Sequence, residues 1–173
     1  MSKRNPYSAR QWVRQGDLYG LVRFELNGVP ISVSATGSAV GFGSAVIGEF
    51  PTKQLFIRGS AARLSFVKQD ANIIATWSGD WALGSAPTAD AVLTDATDFD
   101  VAGASGGFAI GPAVAGVIAA PAAPARTNIE VVKTWAAADE VNLNLLVDAA
   151  SITDDETGVV KVYGTIDFMM AVL

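Results

Sequence analysis

Apolar and polar residues alternate along much of this chain with a period of two, the signature of strands that bury one face. The last third shows it most clearly. Over residues 141–147 the odd positions are all apolar. In the final run Val160, Val162, Ile166, Phe168, Met170 and Val172 share one side, while Lys161, Tyr163, Thr165 and Asp167 share the other. The two runs predict a terminal hairpin across a solvated connection, residues 148–158, that carries Asp154, Asp155, Glu156 and Gly158. The apolar side of such a hairpin needs cover, which predicts a second sheet packed against it.

The same alternation begins at Leu18. Gly20, Val22, Phe24 and Leu26 continue its side, and Tyr19, Leu21, Arg23 and Glu25 occupy the other. Asn27-Gly28 then predicts a two-residue hairpin turn, because a type I′ turn needs positive φ at both central residues. The chain returns as Val29, Ile31, Val33 and Ala35, with Pro30 suited to a strand end or a sheet edge. Residues 36–48 read as a mobile or bulged connection. Their glycines lack the Gly-Lys-Ser/Thr that cradles phosphate, and no acid follows where a ribose would need one. Further short strands are predicted at 54–58 and 62–68 around Gly59-Ser60, at 72–77 and 81–83 around Ser78-Gly79-Asp80, and at 128–133. Trp77 and Trp81 flank one of these turns and read as a cross-strand aromatic contact. The functional alternative for such a pair is a sugar-binding platform.

Two stretches break the pattern. Residues 88–100 hold Asp90, Asp95, Asp98 and Asp100, but no turn glycine and no closing glutamate completes a calcium loop, so they read as a solvated acidic loop. Residues 101–125 are uncharged throughout. Gly103, Gly106, Gly107, Gly111 and Gly116 with Pro112, Pro121 and Pro124 oppose a continuous membrane-spanning helix. An Ala/Gly/Pro-rich excursion over 101–126, lying on protein, is expected instead.

Composition narrows the chemistry. At 173 residues the chain reads as one domain, long enough to bury about 68–70% of the surface its unfolded form exposes. With no cysteine it has no disulfide and no thiolate metal site, and with no histidine it lacks the usual general base, zinc ligand and near-neutral switch. No Ser-His-Asp or Cys-His arrangement can be built, and no Asp-Thr-Gly supports an aspartic dyad. The chain is therefore read as no enzyme, with no cofactor and no small-molecule substrate. A net charge of -5 argues against nucleic acid as a partner.

That charge is unevenly spread. Lys3, Arg4, Arg10 and Arg14 precede the first acid, Asp17, whereas Asp139, Glu140, Asp148, Asp154, Asp155 and Glu156 follow one another without an intervening base. No apolar run follows the first basic residues, so a signal peptide is not expected. Residues 1–16 read as a basic N-terminal arm ahead of a body at 17–173. In that arm Lys3, Arg4, Tyr7, Arg10, Trp12 and Arg14 would dock onto an acidic partner surface, since an indole in a polar tail needs burial somewhere. The bland alternative is a frayed terminus.

Residues 21–43, 45–51 and 75–90, with the endings 141–148 and 162–166, together resemble the decoration, or cement, proteins of tailed-bacteriophage capsids. The similarity runs over roughly residues 18–173 in texture and order. It implies an all-β, jelly-roll-like antiparallel β-sandwich on the outer surface of a virion assembled in the host cytoplasm. The implied partners are the major capsid protein and further copies of the chain, as a dimer or trimer at a capsid symmetry axis. It implies neither nucleic acid nor membrane, and it carries no catalytic residues. The other reading of the same texture is a different virion component: tail tube, baseplate or head fibre.

Overall fold

The computed structural model describes residues 10–15, 20–35, 40–49, 54–84, 86–88, 106–110, 125–134 and 140–172, with side chains over 21–35, 40–49, 62–84, 86–88 and 140–168. Among these residues nine strands form: β1 (Arg10–Gln15), β2 (Gly20–Ser34), β3 (Gly41–Glu49), β4 (Gln54–Lys68), β5 (Trp77–Gly84), β6 (Gly106–Ile110), β7 (Ala125–Thr134), β8 (Glu140–Val147) and β9 (Thr157–Val172). One 3-10 turn, Ala149–Ser151, is their sole helical element. All pairings are antiparallel, in the order β6-β5-β8-β3-β2-β9-β4-β7, and β1 lies along β2 beside that path. The all-β expectation holds. Phe24 and Ile31 of β2 belong to the same apolar cluster as Trp81 of β5 and Leu145 of β8. Strands so far apart in the order can share a core because the sheet curls around one of its own faces.

The strand faces follow the alternation. Val160, Val162, Ile166 and Phe168 of β9 are all fully buried, as are Val141, Leu143, Leu145 and Val147 of β8. Phe24 and Phe168 meet edge to face with ring centroids 5.9 Å apart, a geometry that favours an aromatic pair beyond the area it buries.

The pairing of these strands departs from expectation, beginning with the terminal hairpin. β8 pairs with β3 and β5, whereas β9 pairs with β2 and β4, so the two runs stand in different parts of the curled sheet. The connection between them, with the loop after β4, closes one end of the core. Ile73 bridges Ile152, Ile74 N–H donates to Ser151 O at 3.0 Å, and Thr153 N–H donates to Asn72 O at 2.8 Å. Asp70 fastens the same corner by accepting Val159 N–H at 2.7 Å and Asn72 N–H at 3.1 Å.

Nor does the chain reverse at Asn27-Gly28. β2 runs through, and Gly28 sits at a β-bulge where the register against β9 slips between Asn27 and Val29. Its φ of 75° is the left-handed conformation that the sequence predicted, used for a bulge instead of a turn. The extra residue resets the phase. Val22, Phe24 and Leu26 stand at even numbers and Val29, Ile31 and Val33 at odd ones, yet all six face the core. Gly59 marks a second such break. β4 is continuous where a turn was expected, with its register slipping between Ile57 and Gly59 against both β7 and β9.

The glycine-rich stretch expected as a connection contains β3, which has a bulge of its own between Val46 and Gly48. β3 leaves the Ser34↔Phe42 pairing and runs back over β2. A Cβ on Gly48 would overlap the Phe24 ring, so the absence of a side chain there permits the close crossing. Ser78-Gly79-Asp80 makes no turn either, because it lies inside β5. Of the strand expected at 72–77, residues 72–76 form bends with the isolated Ile73 bridge, and Trp77 opens β5. The uncharged excursion contributes β6, which pairs with β5, and the strand expected at 128–133 is the core of β7.

Candidate interaction face

The chemistry-bearing side chains that the fold gathers lie on the outer face of β2, β9 and β4. Alternation puts them there: every residue between two core positions of an antiparallel strand points the other way. From β2 come Leu21, Arg23 and Glu25, from β9 Tyr163, Thr165 and Asp167, and from β4 Arg63 and Ser65. Leu21 is 39% exposed, one of the two large apolar side chains exposed to that degree among the described residues.

Arg23 and Asp167 are direct partners in the β2–β9 ladder. The guanidinium donates from Nε to Asp167 Oδ1 at 2.6 Å and from Nη2 to Oδ2 at 2.8 Å, a two-pronged ion pair with side chains 42% and 24% exposed. The hydrogen bond to Asp167 and then that carboxylate's charge hold the Arg23 pKa above its ordinary value; burial opposes them, and Glu25 adds the smallest upward push. A pair this exposed adds about 0–1 kcal/mol to stability. What it supplies is orientation, because two parallel bonds fix the plane of the guanidinium.

β1 extends this surface. The basic segment expected as an arm is a strand over Arg10–Gln15, whose residues Arg10, Trp12 and Arg14 take ladder positions opposite Glu25, Arg23 and Leu21. These three were singled out in the sequence for docking, and the ladder sets their backbone beside the outward residues of β2. Lys3, Arg4 and Tyr7 lie outside the described residues, as do Asp90, Asp95, Asp98 and Asp100. Arg23, Asp167 and Arg63 were not singled out. The signal was present in the polar side of each alternating run, but it names no partner.

The other outer face, on β3, β8 and β5, is used differently. Asn144 Oδ1 accepts from Ser44 Oγ at 2.6 Å and from Thr88 N–H at 2.9 Å, and its Nδ2 donates to Ala86 O at 3.2 Å. This amide staples the chain after β5 across the sheet. Asn142, two residues away on the same side of β8, is 2% exposed, and its Nδ2 has no acceptor among the described residues. At the closed end Ser78 Oγ donates to Asp148 Oδ2. Burial first, and the charge of Asp148 second, raise the pKa of nearby Asp80. Trp77 and Trp81 point inward from β5 at 2% and 6% exposure, four residues apart on one strand. They are neither a cross-strand pair nor an open platform for a sugar, because both rings are part of the core.

Among the described residues no three acids stand close enough to hold a metal ion, and no helix is long and apolar enough to cross a membrane. Compared with known proteins, the chain matches no family model, and no curated protein is detectably similar to it.

Proposed function

We propose that the chain is a structural virion protein that binds the outer surface of a tailed-bacteriophage capsid and stabilises the shell, as a decoration or cement protein. In this reading the curled sheet is the body of a jelly-roll-like sandwich, and the major capsid protein is the partner. Copies of the chain associate as a dimer or trimer at a symmetry axis of a head assembled in the host cytoplasm. The observation that carries the reading is the outward face of β2, β9 and β4, broad, charged and backed by a continuous apolar core, with the strand of Arg10, Trp12 and Arg14 along its edge. A rigid face of this kind suits a modest contact repeated many times over a closed lattice. There avidity does the work of a large single interface.

The test is to mix purified protein with undecorated heads and image the product. Saturable binding at symmetric positions is expected, and decorated heads should keep their DNA and shape to higher temperature, and longer under chelation, than bare ones. Rings, tubes or fibres of the protein alone, with heads left bare, would overturn the assignment.

A further inference from the structure

Arg23 is the best-defined polar group on the outer face. Asp167 takes the Nε–Nη2 edge of its guanidinium, and the Nη1 side carries no hydrogen bond among the described residues. With its side chain 42% exposed, Arg23 is thus held in one plane with donors still open to solvent. An arginine fixed in this way loses little side-chain freedom when it binds, which is the usual cost of recruiting so long a side chain.

We infer that Arg23, positioned by Asp167, is the anchor for a side-chain carboxylate on an acidic partner protein surface. This rests on the reading of the face as a docking surface and names the chemistry it recognises. The planar fork matches the two oxygens of a carboxylate. Phosphate oxygens fit the same fork, so inorganic phosphate is the competitor against which the carboxylate has to be tested. The ladder adds Arg10 and Arg14 beside Glu25 and Leu21, and Arg63 stands beyond Thr165 on β4. By register, basic residues outnumber acidic ones at these ladder positions, which suits an acidic surface, while Arg23 supplies the oriented contact. Asp167 is a positioning residue, and its effect has an unusual sign. If attraction were only a matter of net charge, removing this carboxylate would tighten binding to an acidic partner. If Asp167 holds the fork, removing it weakens binding.

The experiment titrates the full chain with poly-L-glutamate, following the Arg23 side-chain nitrogens by NMR, for the natural sequence, Arg23→Lys and Asp167→Asn at one ionic strength. A saturable shift at Arg23 is expected in the natural chain. Arg23→Lys, which keeps the charge and loses the fork, should bind about tenfold more weakly. Asp167→Asn should also bind several-fold more weakly, with its melting temperature showing that it remains folded. No shift at Arg23, equal or tighter binding by Asp167→Asn, or displacement of poly-L-glutamate by an equal charge of inorganic phosphate would each overturn the inference. Undecorated heads form a separate arm. Failure of the natural chain to bind them, with the poly-L-glutamate result intact, removes the capsid reading and leaves the carboxylate anchor standing.

Discussion

Two regions of the sheet, β2 with β9 and β8, bury the same kind of inner face and do opposite things with the outer one. Along β2 and β9 the residues between core positions are partly or fully open and carry Arg23, Glu25, Tyr163 and Asp167. Along β8 nearly every residue is buried, on both faces. Asn142 and Asn144 alternate with Val141, Leu143 and Leu145 as polar residues alternate on any solvated strand, yet they are covered, and Asn144 is spent on stapling residues 86–88. The lesson is that a polar position on a strand is either a place where the molecule can meet something else or a place where it already meets itself. On the β2–β9 side the outer face remains available to a partner, which is why the proposed contact belongs there.

Substitutions can sharpen this contrast, beginning with the inner faces. Leu143→Ala should cost about 2–5 kcal/mol by urea denaturation, through lost apolar contacts and a cavity that closes only in part. The same change at exposed Leu21 should stay within about 0.5 kcal/mol. Comparable losses at both sites would mean that the β2 face is covered after all.

Next comes the outer face of β8. Asn144→Leu strips partners from Ser44, Thr88 and Ala86, and should cost about 1–3 kcal/mol with faster hydrogen exchange at Thr88. Asn142→Leu removes a buried donor that has no acceptor, and should leave stability unchanged or raised. If the two variants behaved alike, Asn142 would have to be a second staple.

A smaller effect is expected at Asp80. Its folded-state pKa lies above the ordinary carboxylate value, so the folded chain holds this proton more tightly than the unfolded one. Stability therefore falls as pH rises from the ordinary carboxylate range through the raised value, and the penalty persists at neutral pH. Asp80→Asn should be more stable than the natural chain at pH 7. The gain should vanish as the pH drops below the ordinary range, which thermal melts across a pH series would reveal.

A small change in stability should come from Arg23→Gln. It gives up an exposed ion pair worth about 0–1 kcal/mol, a difference that added salt should shrink further. A loss several times larger would make the pair a structural element and not a surface one.

How far the residues could be read in advance follows from the same contrast. Period two identified the class of fold and the buried side of β2, β8 and β9 correctly, since facing the core is a local property repeated at every second residue. Period two put Arg23 and Asp167 on the outer side of their strands, but the pair they form was not legible. Its members stand 144 residues apart, and nothing in either run names the other.

Read alone, then, the residues settle that this chain is built of strands and which side of β2, β8 and β9 is dry. The choice of neighbours was left to packing. Ladder hydrogen bonds use backbone groups that nearly every residue carries, so they cannot by themselves mark β9 as the partner of β2 instead of β8. A glycine at positive φ serves a reversal and a bulge equally well, so Gly28 fitted both until the long β2–β9 ladder formed across it. Whether a polar side chain such as Asn144 or Arg23 ends against the protein or against solvent depends on which segment crosses above it, and the alternation of a single strand holds no record of that.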